Sequence, residues 1–160
     1  METKPKLRDL AMQVSAGLTI YIAVHNRIYR EGAGFASVIK NLFGRATPMS
    51  KLLEDAQELV PVWDLIHTRV ENFRVDYGSY LPEKEDEYLH ILVRYVGSVR
   101  KTIGALVDRQ TLLFEGSKGG ANNAMTWQAC KDKEAAYQSA VAGYKAVGQE
   151  LNAASLAIFG

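Results

Sequence analysis

Glu87 and His90 stand three residues apart in the stretch Glu-Tyr-Leu-His, 87–90. On a helix that spacing makes a carboxylate and an imidazole neighbours on one face. It is also half of the ligand pattern of dimetal-carboxylate bundles, in which each metal takes a Glu and a Glu-x-x-His from inward-facing positions. A complete site would need a second Glu-x-x-His and two more inward Glu residues, and the sequence supplies neither. Facing argues the same way. With Leu89 and Leu92 on an apolar seam, Glu87 falls on a helical line with Arg94, Lys101 and Asp108, and His90 on one with Gly97, Gly104 and Thr111. The expectation is a solvated acid and a flanking histidine, with no metal and no cofactor. His67 lies on a line with Leu53, Val60 and Arg74, beside rather than on a seam, and reads as structural.

A second polar set is more informative. His25, Gln110 and Glu134 each occupy a place in an apolar stripe where an aliphatic residue would be expected, and Cys130 sits one turn before Glu134 on the same face. If the helices alternate in direction, all four fall near one end of the molecule, within about two turns at about 1.5 Å per residue. Two chemistries suit them. One is a buried hydrogen-bonded layer that fixes helix register. The other is a site, with His25 as base, Glu134 orienting it and Cys130 as nucleophile or soft metal ligand. Buried polar groups are in the great majority simply satisfied, and no oxyanion-hole motif accompanies this set. The first reading is preferred, and no residue is assigned a catalytic role.

The elements that must position these residues are helical almost throughout. The first stripe runs Leu7, Ala11, Val14, Leu18, Tyr21, His25, Ile28, and a short one runs Phe35, Val38, Ile39, Leu42, Phe43. The next runs Leu52, Ala56, Leu59, Trp63, Ile66, Val70, Phe73, Tyr77, followed by Leu89, Leu92, Val96, Val99, Ile103, Leu106, Gln110, Leu113. The last runs from Trp127 through Cys130, Glu134, Tyr137, Val141, Tyr144, Gly148, Leu151 and Ser155 to Ile158. Thr47-Pro48 and Pro82 followed by acidic residues read as helix starts. Gly78 and Gly116 read as C-terminal caps, and Asn122 or Asn123 as the following N-cap. Pro61 falls inside a stripe that keeps phase across it, which predicts a kink rather than a break. Tyr88 and Tyr95 share a line beside the seam, where partial exposure is expected.

These stripes predict an all-α fold. Four long helices form an antiparallel bundle within a single domain over 1–160, and a short amphipathic helix at about 34–43 lies across one end. The 160 residues are enough for one domain with a real core, and 48% apolar with 23% charged residues argues against wholesale disorder. A net charge of +1 is too small to suggest a nucleic-acid binder, which normally needs a basic face. A single cysteine excludes an internal disulfide and fits a reducing, cytoplasmic setting. Lys4, Lys6 and Arg8 precede a charge-free run from Leu10 to Asn26 that resembles a short anchor. Gln13, Ser15, Thr19 and His25 interrupt it, however, and it is short for a span.

The function expected from the sequence is non-enzymatic: a structural, adaptor or regulatory interaction protein that self-associates. Its contact surface is assigned to Phe35, Ile39, Leu42 and Phe43 with the neighbouring Lys40 and Arg45. A protein partner or a second copy is the expected occupant. Membrane contact, were it to occur, would use the N-terminal or 34–45 segment. The alternative is an enzyme, small-ligand or metal binder using the layer around His25, Gln110, Cys130 and Glu134.

Overall fold

The computed structural model describes residues 3–31, 48–119 and 126–160. Among them four long helices pack together: α1 (Thr3–Glu31), α2 (Met49–Tyr77), α3 (Glu83–Ser117) and α4 (Trp127–Phe159), with a 3-10 turn at Gly78–Tyr80 between α2 and α3. The described residues contain no strand and are all-helical, as the stripes predict for them. The short helix expected at 34–43, with its surface of Phe35, Ile39, Lys40, Leu42, Phe43 and Arg45, lies outside the described residues.

The helix ends follow from local chemistry, with two corrections. Pro82 stands at the N-cap of α3, and Glu83, Glu85 and Asp86 fill its first turn, where the helix dipole favours acids. Gly116 is not a cap. It is buried within α3, which runs on to Ser117 and closes through Lys118 and Gly119, the latter in the left-handed region at φ 67° that glycine adopts without strain. The residue that caps α4 is Thr126, whose hydroxyl accepts from the Ala129 N–H at 3.0 Å. Asn122 and Asn123 lie outside the described residues. Pro61 is carried inside α2 without a break, its ring exposed.

Cross-helix bonds fix how the helices run beside one another. Lys6 at the start of α1 donates to the Tyr77 hydroxyl at the end of α2 (2.9 Å), and Arg27 near the end of α1 pairs with Asp55 near the start of α2 (2.6 Å). Arg94 of α3 pairs with Glu150 of α4 at 2.9 Å, and Lys133 of α4 with Asp108 of α3 at 3.4 Å. The α2 and α3 stripes are buried as predicted, from Leu52 to Phe73 and from Leu89 to Leu113.

Three facings differ from expectation. On α1, Leu10 and Gly17 are buried while Ala11 and Leu18 are only half-buried. The cause is Gly17: a Cβ there would collide with Ile66 Cδ1 and sit 3.4 Å from the Trp63 ring, so α1 rotates its bare backbone onto α2. On α4 the stripe is buried at Tyr137, Val141, Tyr144 and Ile158, while Trp127, on which it begins, is exposed, and Cys130, Glu134, Gly148, Leu151 and Ser155 are half-buried. Tyr88 and Tyr95 are buried, not partly exposed. Helix α3 packs on both α2 and α4, so it needs two buried lines rather than one. The second line is Tyr88, Tyr95, Thr102, Arg109 and Gly116, every seventh residue. Tyr88 meets Phe159 edge-on (5.4 Å, 87°), and Tyr95 meets Tyr144 (6.3 Å, 71°).

Candidate functional site

Backbones of α1 and α4 scarcely approach each other, and side chains bridge the interval. The bridge is built from Tyr21, His25 and Tyr29, one helical turn apart on α1, and from Glu134, Tyr137, Gln138 and Tyr144 on α4. Long aromatic side chains are what such a gap demands, because they span it and carry a polar tip that a neighbour can bond.

Two hydrogen-bonded groups meet in the bridge. In the first, the Tyr137 hydroxyl lies 2.7 Å from both the Tyr21 hydroxyl and His25 Nδ1. With His25 neutral and Nδ1 accepting, the order that satisfies every atom is Tyr21 donating to Tyr137 and Tyr137 donating to His25. In the second, Arg109 of α3 donates through Nε to Glu134 Oε2 and through Nη1 to Gln110 Oε1. Glu134 Oε1 accepts from the Tyr29 hydroxyl (2.7 Å) and from Gln138 Nε2 (2.8 Å). Tyr29 joins the two groups: its ring stacks on His25 at 4.6 Å and 25°, and its face receives the Arg109 guanidinium at 5.0 Å.

His25, Gln110 and Glu134 are thus on three helices in one layer, yet among the described residues none of the three hydrogen-bonds another. Gln110 and Glu134 connect through Arg109, and His25 bonds Tyr137 rather than Glu134. Cys130 is half-buried against the core, on the turn before Glu134. Arg109 and Tyr29 were not singled out from the sequence. Arg109 continues the seven-residue line of Tyr88, Tyr95 and Thr102, but that line reads as buried only once α3 is seen to pack on α4 as well as α2. Glu87 and His90 are exposed, His90 bonding the Asp86 carbonyl oxygen at 2.9 Å. Among the described residues no group of three or more His, Cys, Asp or Glu side chains could hold a metal ion.

The electrostatics describe a satisfied layer. Burial pushes the Glu134 carboxyl up, but hydrogen bonds from Gln138, Tyr29 and Arg109 outweigh it and leave the carboxyl below its usual range. Burial pushes the Tyr137 hydroxyl up to about 12 and holds Tyr21 and Tyr29 higher still, so all three stay protonated donors. The Cys130 thiol is raised by burial, with Arg109 offsetting only part of it, which is the opposite of what an activated nucleophile needs.

His25 is lowered from 6.5, first by burial and then by the positive charges of Lys145 and Arg109, against a smaller pull from Glu134. A base whose folded pKa lies below its unfolded value binds its proton more readily in the unfolded chain. Its contribution to stability is therefore full above pH 6.5 and is lost as pH falls below 6.5 toward the lower folded value. Urea unfolding at a series of pH values should show stability falling over that interval, and His25→Gln should flatten the slope. An unchanged slope in the variant would show that His25 is not its source.

No protein-family model, curated protein or solved structure matches this chain.

Proposed function

We propose that the protein acts by binding rather than by catalysis, as an up-down-up-down antiparallel helical bundle that self-associates through the outer face of α1. One observation carries this reading. From Leu10 to Asn26 the helix holds no Lys, Arg, Asp or Glu, and Met12, Ala16, Thr19, Ile20 and Ala23 stand exposed along it. The outer surfaces of α2 and α3 are instead studded with Glu54, Glu58, Asp64, Arg69, Glu87, Arg94, Lys101 and Asp108. An uncharged, partly apolar strip beside two charged helices is the kind of surface that another protein covers. A second copy covers it without like-charge repulsion, because a two-fold axis sets an uncharged surface against itself.

The cross-helix pairs support the antiparallel order, since each joins one end of a helix to the opposite end of its neighbour. No described helix is long and apolar enough to cross a membrane. The lone thiol of Cys130 suits the reducing conditions of the cytoplasm, where we place the protein.

Sedimentation velocity tests the reading. The protein should run as a dimer or larger, and the double substitution Ala16→Glu, Ile20→Glu should shift it to monomer with its helical circular dichroism unchanged. Both positions are exposed, so the charges leave the fold intact. A wild-type protein that stays monomeric at every accessible concentration would remove the proposal.

A further inference from the structure

At the end of the molecule away from the tyrosine bridge, the first turns of α1 and α3 and the last residues of α4 enclose an open cleft of about 660 Å³. Glu85 forms part of its wall although it is only 9% exposed. One carboxylate oxygen, Oε2, accepts from the Thr3 hydroxyl at 2.8 Å, and among the described residues the other makes no hydrogen bond or ion pair. Among the described residues Trp63 Nε1 is the one fully buried side-chain atom without a partner, so the second Glu85 oxygen reaches the solvent of the cleft and keeps acceptor positions open to a ligand. Lys4 and Arg8, which are exposed, also line the cleft, and neither makes an ion pair among the described residues. Phe159, held edge-on against Tyr88, and the ring of Pro82 supply apolar wall.

We propose that this cleft binds a small zwitterion of the amino-acid type, its ammonium group on Glu85 and its carboxylate on Lys4 and Arg8. Charge excludes the simpler ligands. The three ionised groups sum to one net positive charge, so a lone organic cation gains Glu85 but meets two repelling charges. A lone carboxylate gains Lys4 and Arg8 but is set against Glu85, whose open oxygen it cannot bond. A ligand carrying both charges satisfies all three groups at once, and its methylene chain lies against Phe159 and Pro82. This inference does not depend on self-association through α1.

Amide NMR titration of the full chain tests it, with glycine, β-alanine, γ-aminobutyrate and ε-aminocaproate as zwitterions of rising span, and butylamine and butyrate as single-charge controls. At least one zwitterion should give saturable shifts at Thr3, Glu85 and Phe159, binding about tenfold or more tightly than either control. Glu85→Gln should weaken that binding about tenfold or more while keeping the fold, because the amide oxygen still accepts from Thr3. Arg8→Gln should weaken it as well. Absence of saturable shifts with every zwitterion would overturn the proposal. So would butyrate or butylamine binding as tightly as the zwitterions, or an undiminished affinity in Glu85→Gln.

Discussion

Glu134→Leu is expected to destabilise the protein by about 3–5 kcal/mol, because it leaves a buried cation without its counter-charge. The Arg109 side chain is 8% exposed, and Glu134 is the one carboxylate paired with it among the described residues. The loss falls unevenly on the partners. Gln138 is exposed and Tyr29 half-buried, so both can turn to water, whereas Arg109 sits on the line between α3 and α4 and cannot leave without dragging Gln110 with it. Arg109→Leu should cost less, about 1–3 kcal/mol, since Glu134 at 37% side-chain exposure keeps water and the main stranded atom is the Gln110 amide oxygen. The double variant should be milder than the sum of the singles by about 1–3 kcal/mol. Urea denaturation followed by far-ultraviolet circular dichroism measures all three. Strict additivity would show that the pair does not hold the layer together.

Trp63→Ala should cost a similar about 3–5 kcal/mol, for a different reason. Trp63 is 1% exposed at the centre of α2, and its ring packs against Gly17 of α1, 3.4 Å from where a Cβ there would stand. Removing the indole leaves a cavity that the helix backbones cannot collapse to fill, and interiors are packed tightly enough that such voids persist. Its Nε1 has no hydrogen-bond partner among the described residues. Trp63→Phe removes that unpaired donor together with part of the ring, so it should cost less than about 2 kcal/mol. Thermal unfolding of the two variants would separate the effects, and an alanine variant as stable as the phenylalanine one would show that the ring's packing matters little.

The seams of α2 and α3 were readable because a helix presents every third or fourth residue to the same neighbour, and that spacing is a local property of the chain. Leu52 to Phe73 and Leu89 to Leu113 are buried where the period places them. Helix stops were less readable. Gly116 and Gly119 are both plausible caps by type, and only the structure shows Gly116 buried inside α3 and Gly119, at φ 67°, closing it.

Facing between helices lay beyond the sequence wherever one helix has two neighbours. A single stripe cannot say that α3 will be covered on both sides, which is why Tyr88, Tyr95 and Arg109 point inward. Burial of Arg109 then decides the chemistry of the layer, because a guanidinium enclosed there must find a carboxylate, and Glu134 is the one within reach. Likewise His25 and Tyr137, 112 residues apart, are joined by the width of the gap between α1 and α4. Thr3 and Glu85, 82 apart, are joined by the first turns of α1 and α3 lying side by side. The sequence by itself determined the four described helices and the seams that α2 and α3 bury, since period and capping act within a few residues. Which polar groups share a layer, and which carboxylate lines a cleft, was decided only by tertiary packing, since those partners are set by the rotation of each helix against its neighbours.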